Sequence, residues 1–430
     1  MAEMLEEVSN FDQDIEFVEG FAGSGKSTEL ASRATNKTLV MTPTHKAAGV
    51  LIGKGVKAFT IHSILQLVPT INENFRKGQK IQTLRKIGDV DLSAITDVFI
   101  DEFSMINQSI LDMLLEMLPD HCKVTVFGDP YQLPPVSGDA IESDIYTNNV
   151  TRLTTQHRAD NPEIVETFMR FMNYIRTGDH TISLVVNLPK GNLKDFNPDT
   201  DRILAYTNNM VLRLNSMAGE ILGLPDDISQ GENILVNDME GILIDHKANC
   251  DRVAFPGTMS KGKMMSGELF DETSYKILDD IRKYKTDMSM YKQCVFEING
   301  INYIGWYDYD HYNRSKMLKD DVEKYQELVA ETHDIPEEMS MADWCRGNKG
   351  EQYVRDRAKA WSRYIAHQNL VFNLRRPFAT TVHKAQGQEF TKVYIAQTDI
   401  KRAIRNGYYD QYARLMYVAL SRAIHEVIII

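Results

Sequence analysis

Gly20-Phe21-Ala22-Gly23-Ser24-Gly25-Lys26-Ser27 follows the apolar run Asp14-Ile15-Glu16-Phe17-Val18 and leads into Glu29-Leu30-Ala31-Ser32-Arg33. The pattern predicts a strand, a glycine-rich turn and a helix. Glycines at 20, 23 and 25 let backbone N–H groups turn inward around phosphate oxygens, and the helix N-terminus adds positive dipole. In such a loop, with Ser24 and Thr28 beside it, Lys26 reaches the β and γ phosphates and Ser27 ligates Mg²⁺, so ATP and Mg²⁺ are the expected cofactors.

A second strand end supports this. Val98-Phe99-Ile100 runs into Asp101 and Glu102, which places Asp101 to hold the metal through its water shell and Glu102 to take a proton from attacking water. A base beside a metal predicts hydrolysis rather than static nucleotide binding. At a third strand end, Phe127-Gly128-Asp129-Pro130-Tyr131-Gln132, the Gln132 amide is placed where it feels the γ-phosphate.

Further apolar runs at Thr38–Met41, Lys123–Phe127, Arg202–Tyr206, Lys392–Ala396 and Glu426–Ile430 predict buried parallel strands of two α/β units, one before and one after residue 160. Between the strands near 205 and 394, residues 232–370 are rich in Lys, Asp, Tyr and Met. They contain an alternating segment, Cys294 to Ile304, whose Asn299-Gly300 centre predicts a tight hairpin.

Composition narrows the function classes. A chain of 430 residues with 43% hydrophobic and 25% charged side chains folds as a multidomain globular protein, not a disordered or fibrous one. No apolar run approaches the ~18 residues of a membrane span, so no membrane is expected and the location is read as cytoplasmic. Four isolated cysteines make neither a zinc site nor a disulfide framework. The net charge of −12 argues against bulk electrostatic coating of nucleic acid. Arg375, Arg376, His383, Lys384, Lys392, Lys401, Arg402 and Arg405 nevertheless form a local basic cluster, which predicts a groove for a strand.

The order of Gly20–Ser27, Thr42-Pro43-Thr44-His45-Lys46-Ala47-Ala48, Asp101-Glu102, Gly128–Pro135, Thr381-Val382-His383-Lys384-Ala385-Gln386-Gly387 and Tyr417-Val418-Ala419-Leu420-Ser421-Arg422 resembles the motif series of superfamily 1 helicases, within them the RecD/Dda-like branch. The resemblance runs from residue 20 to the C-terminus. It implies an α/β fold of two RecA-like P-loop motor domains with parallel sheets, an inserted β-hairpin pin and an SH3-like β subdomain with helices. The corresponding boundaries are 1–160 for the first motor domain with a pin at 66–94, 161–231 and 371–430 for the second, and 232–370 for the inserted subdomain.

Carried over on matching positions, the resemblance makes Gly20, Gly23, Ser24, Gly25, Lys26, Ser27, Thr28, Asp101, Glu102, Gln132 and Gly387 the ATP and Mg²⁺ set. It makes Arg158, in Gln156-His157-Arg158, and Arg422 arginine fingers on the γ-phosphate. Strand contacts fall to Thr42, Pro43, Thr44, His45, Thr60 and His62, and later to Thr207, Asn208, Thr381, His383 and Lys384, with Phe75 in the pin stacking on the fork base pair. Trp344, Trp361 and Tyr364 either stack on bases or pack against protein. The family's adenine-reading Gln ahead of the P-loop has no clear match, since Gln13 stands next to the first strand, so strict selection of ATP is not implied. The implied activity is ATP-dependent, 5′-to-3′ movement on single-stranded DNA and unwinding of duplex by a monomer, in phage replication or recombination. The implied partners are single-stranded and forked DNA, together with a single-strand binding protein or other replisome components. A viral-type RNA helicase and an ATP-switched DNA-binding initiator or remodelling factor remain alternative readings of the same motifs.

Overall fold

The structure, a computed structural model, describes residues 15–71, 82–135, 149–236, 239–245, 291–298, 301–308, 311–331, 351–404 and 407–430. Phe75, Gln13, Trp344 and Arg405 lie outside them. The chain divides into two compact units, one of residues up to 65, 89–207 and 380–430, the other of 66–88 and 208–379.

The first unit holds two sheets. One has six strands in the order Ala58–Thr60, Thr38–Thr42, Asp97–Ile100, Lys123–Gly128, Ile15–Gly20 and Val150–Leu153, every pairing parallel. Parallel strands covered on both faces must be apolar throughout, and Phe17, Val18, Val98, Ile100, Val126 and Phe127 are fully buried. Helices Lys26–Arg33, His45–Gly53 and Gln108–Met117 supply crossovers, the last capped by Asn107, whose Oδ1 accepts the Ile110 N–H at 3.0 Å. Register sets Glu19 opposite Gly128, Ile100 opposite Val126 and Met41 opposite Ile100, so the strands' carboxyl ends finish side by side. That edge is where an open α/β sheet collects its ligands.

The second sheet runs Ala379–Thr381, Asp201–Ala205, Phe390–Ile395 and Ala423–Ile429, with the last three strands parallel. Helices Pro162–Thr177 and Asp410–Leu420 share one core with it, through Phe168, Phe171, Tyr412, Met416 and Val427.

In the other unit, six strands in the order Val371–Phe372, Ile301–Tyr307, Lys292–Ile298, Met239–Asp245, Asn233–Val236 and Leu374–Arg375 form a sheet that is antiparallel except at its Val371–Phe372 edge. The hairpin predicted around Asn299-Gly300 is present as strands with Ile298 opposite Ile301. Its core closes on Phe296 and Phe372, ring centroids 5.1 Å apart. Gly305 is required there, because a Cβ would stand 2.8 Å from the Phe372 ring. Helices His311–Glu331 and Glu351–Leu370 pair through Val322 and Ala360, with Trp361 and Tyr364 packed on that contact and Arg357 Nη1 donating to Gln326 Oε1 at 2.8 Å. Trp361 and Tyr364 are thus packing residues of the helix pair. Leu67–Ile71 and Gln82–Lys86 form a two-stranded antiparallel ribbon, with Leu67 opposite Lys86. Among the described residues, no helix is long and apolar enough to cross a membrane.

Candidate nucleotide site and strand-contacting turns

The glycine loop closes on itself through backbone geometry. Gly23 and Gly25 adopt φ of 83° and 91°, left-handed values that side chains resist. A Cβ on Gly20 would lie 2.2 Å from Ser24 Oγ, and one on Gly23 2.2 Å from Gln156 Oε1. The loop is also held from outside: Gln156 Nε2 donates to Ala22 O at 3.1 Å and His157 N to Gly23 O at 2.9 Å. Lys26, largely buried, donates through Nζ to the carbonyls of Gly20 at 2.5 Å and Phe21 at 3.3 Å. Thr28, at the exposed rim, accepts from Lys54 Nζ at 3.1 Å.

Ser27 Oγ donates to Asp101 Oδ2 at 3.3 Å, which joins the end of the loop to the end of the strand Asp97–Ile100, two places away in the sheet. Burial and then the adjacent Glu102 carboxylate push the Asp101 carboxyl up to about 6, against the pull of hydrogen bonds and Lys26. Glu102 takes a left-handed φ of 51°, a conformation that costs strain in a non-glycine residue and turns the chain sharply out of the strand.

Arg158 and Arg422 meet at the same place. Arg158 Nη1 donates to Ser421 O at 3.1 Å and Nη2 pairs with Glu389 Oε1 at 2.7 Å. Arg422 is fully buried, donating to Val418 O at 3.1 Å, Gln388 O at 3.3 Å and Ser421 Oγ at 2.9 Å. Burial, then the neighbouring Arg158 charge, lowers its guanidinium to about 10, with Glu102 acting in the opposite direction. Gly387, whose φ of 75° favours glycine, lies beside Glu102; a Cβ there would make ordinary contact with Glu102 Oε1 at 3.6 Å.

Three buried polar atoms around this cluster, Ser24 Oγ, Glu102 Oε2 and Arg158 Nε, have no hydrogen-bond partner. Leaving such groups unpaired is costly, and an anionic ligand with a metal would engage groups of these kinds. Asp101 and Ser27 are hard oxygen donors of the type Mg²⁺ takes when phosphates complete its shell. The described residues hold no cluster of three or more His, Cys, Asp or Glu suited to a metal. The residues therefore fit both ATP and Mg²⁺.

Gln132 is buried, its Nε2 3.4 Å from Asp129 Oδ2 and its Oε1 accepting from Gln386 Nε2 at 3.2 Å. Asp129 was legible in the sequence only as part of a strand end. It also receives the Tyr417 hydroxyl at 2.5 Å, and Arg414 donates to the carbonyls of Pro130 and Gln132 at 2.9 and 2.8 Å. Position in the chain gave no sign of these pairings.

The threonines expected to contact a strand hold turns in shape. Thr42 Oγ1 donates to Thr44 O at 2.8 Å, Thr44 Oγ1 accepts from Ala47 N at 3.2 Å and Thr60 Oγ1 from Ser63 N at 3.3 Å. Thr381 Oγ1 accepts from Lys384 N at 3.3 Å, and Thr207 Oγ1 bonds the buried Asp399 at 3.1 Å. Pro43 is half-buried, His45 opens the helix His45–Gly53, and His62 and Lys384 are exposed. Burial holds the half-buried His383 imidazole below its ordinary value, and its ring lies 6.1 Å from that of Tyr206. Asn208, in the other unit, begins the helix Asn208–Ile221. The predicted basic groove is reduced: Arg376 is buried on Glu232 at 2.7 Å, Lys392 pairs with Glu426 at 2.7 Å and Arg402 with Asp399 at 3.4 Å. Neighbouring carboxylates take these charges.

Known proteins resemble the chain at the level of sequence family and of fold. Residues 2–187 match the AAA domain family and residues 378–430 the UvrD-like helicase C-terminal domain. The ATP-dependent DNA helicase dda of Enterobacteria phage T4 is 25% identical, the match covering 95% of this chain and 93% of that one. The chain is similar to the superfamily 1 helicases of the Dda and RecD type. The RecBCD subunit RecD of Mycolicibacterium smegmatis is 26% identical over 31% of this chain and 22% of its own. Among solved structures, a Bacteroides Pif1 helicase in complex with ADP-AlF3 and ssDNA superposes with a TM-score of 0.50 at 17% identity, covering 98% of this chain and 89% of that one. The α/β fold with parallel sheets is therefore of the Pif1 kind.

Proposed function

We propose that this chain is an ATP-dependent DNA helicase that steps 5′ to 3′ along single-stranded DNA and parts the duplex ahead, as a monomer, in phage replication or recombination. The observation that carries the reading is the convergence of Lys26, Asp101, Glu102, Arg158 and Arg422 on one glycine loop, with the last two arriving from beyond the first sheet. Both sheets of that unit would be motor domains.

In this reading Lys26 exchanges its own loop carbonyls for β and γ phosphate oxygens, and Asp101 with Ser27 would hold Mg²⁺, which would supply charge neutralisation at the phosphates. Glu102 accepts the proton of the attacking water. Arg158 and Arg422 stabilise charge on the transferring phosphoryl group, and Gln132 senses it. Residues of the second sheet thereby bind more tightly when ATP is present, so closing and opening follow turnover. The turns at Thr42–His45, Thr60–His62, Thr207–Asn208 and Thr381–Lys384 would grip phosphates with N–H groups and short polar side chains. The ribbon Leu67–Ile71 and Gln82–Lys86 would be the base of the pin, and the six-stranded sheet the SH3-like subdomain.

The test is steady-state ATPase with and without oligonucleotides. Strong stimulation by single-stranded DNA, with weaker stimulation by RNA of the same sequence, is expected. Stimulation by RNA alone would make the chain an RNA helicase, and absence of turnover would make it an ATP-switched binding factor.

A further inference from the structure

The hydrolysis described above leaves one buried hydroxyl without a role. Tyr417 is fully buried in the helix Asp410–Leu420, edge-on to Phe168 with centroids 6.1 Å apart. Its hydroxyl accepts the Ala22 N–H of the glycine loop at 3.2 Å and donates to Asp129 Oδ2 at 2.5 Å. Burial and the Asp129 charge raise it well above its ordinary value, so it keeps its proton and remains a donor.

Asp129 is a fully buried carboxylate that accepts from the Tyr417 hydroxyl, from the Tyr131 N–H at 3.1 Å and from Gln132 Nε2 at 3.4 Å. Gln132 in turn accepts from Gln386, which follows the Thr381–Lys384 turn. An unbroken series of hydrogen bonds thus runs from that turn through Gln386, Gln132, Asp129 and Tyr417 to Ala22. Every link is a side chain with few donors or acceptors. A change of partner at one end therefore leaves a buried polar group unpaired further along, unless the next link also moves.

We propose that Tyr417 is a positioning residue that transmits the state of the strand-contacting turn to the ATP loop. When strand binding shifts Gln386, or phosphate draws the Gln132 amide away, Asp129 rests more heavily on Tyr417, which fixes Ala22 and with it the loop's entry geometry. The inference rests on the helicase reading. It adds a hydroxyl that touches neither substrate.

The test uses the full chain and four proteins: wild type, Tyr417→Phe, Gln386→Ala and the double variant. Each is assayed for ATPase with and without single-stranded DNA, and for strand binding without nucleotide by fluorescence anisotropy. Each single substitution is expected to lower the stimulation ratio about ten-fold while strand affinity stays within about two-fold, and the double variant to fall no further than the singles. Gln386 is half-buried, so Gln386→Ala carries the test if Tyr417→Phe fails to fold. Equal losses in stimulated and unstimulated rates, an unchanged ratio, or additive losses in the double variant would overturn the coupling. A wild type without any stimulation would overturn the helicase reading itself, and the coupling with it.

Discussion

Ser27 Oγ and Asp101 Oδ2 lie 3.3 Å apart although 74 positions separate them in the chain, and this one hydrogen bond joins the glycine loop to the strand that carries the candidate base. It exists because parallel register brings the carboxyl ends of neighbouring strands level. Two oxygens so placed would hold Mg²⁺, Ser27 directly and Asp101 through the ion's water shell, with phosphates and water completing its octahedral set.

Lys26→Ala should abolish ATP hydrolysis, because it removes the ammonium that would exchange the Gly20 and Phe21 carbonyls for phosphate oxygens. Glu102→Gln should keep nucleotide affinity while turnover falls by about 10²–10⁴-fold, the range for loss of a general base. Nucleotide binding and steady-state rates measure both. Wild-type turnover in Glu102→Gln would remove the base assignment.

Gly23→Ala should lose at least about ten-fold in ATP affinity. Its left-handed φ adds about 1–2 kcal/mol of strain to any side chain, and the new methyl would meet Gln156 Oε1 at 2.2 Å and Arg158 Cβ at 2.7 Å. Gly49→Ala is the control: it sits inside the helix His45–Gly53 with nothing within 4 Å of an added Cβ. It should be neutral or raise stability by up to about 1 kcal/mol. Titration with a fluorescent ATP analogue and thermal denaturation distinguish the two.

Arg422→Lys retains a charge but cannot fork to Val418 O, Gln388 O and Ser421 Oγ together. DNA-stimulated turnover should fall by about 10³-fold, as for loss of an arginine finger, with binding of single-stranded DNA largely intact. Collapse of DNA affinity with surviving ATPase would mean that the residue serves the strand instead.

The parallel strands were legible because strands buried on both faces are mainly apolar, and the centres of the runs at 97–100, 123–128 and 392–395 are. The glycine loop was legible because its conformation admits few side chains. What pattern could not reveal was partnership. Nothing local to Tyr417 points to Asp129, and the basic cluster around 375–402 could not be recognised as partly neutralised until Glu232, Glu426 and Asp399 were placed beside it. Thr42 and Thr60 fit strand contact by type, yet their hydroxyls shape the turns themselves.

Phe75→Ala should slow forked-duplex unwinding several-fold while ATPase and translocation on single strands stay near wild type. Base–aromatic stacking contributes about 1–3 kcal/mol, comparable with the mean of about 1.4 kcal/mol for a DNA stacking step, so one ring at the fork matters. Equal losses in all three assays, together with a lowered melting temperature, would identify Phe75 as a core residue.

The most direct measurement is ATP- and Mg²⁺-dependent unwinding of two duplexes that differ only in carrying a 5′ or a 3′ single-stranded tail. Separation of the 5′-tailed duplex, with the 3′-tailed one left intact, is the predicted result. ATP turnover stimulated by the tails without separation of either duplex would contradict the assignment of this chain as a helicase.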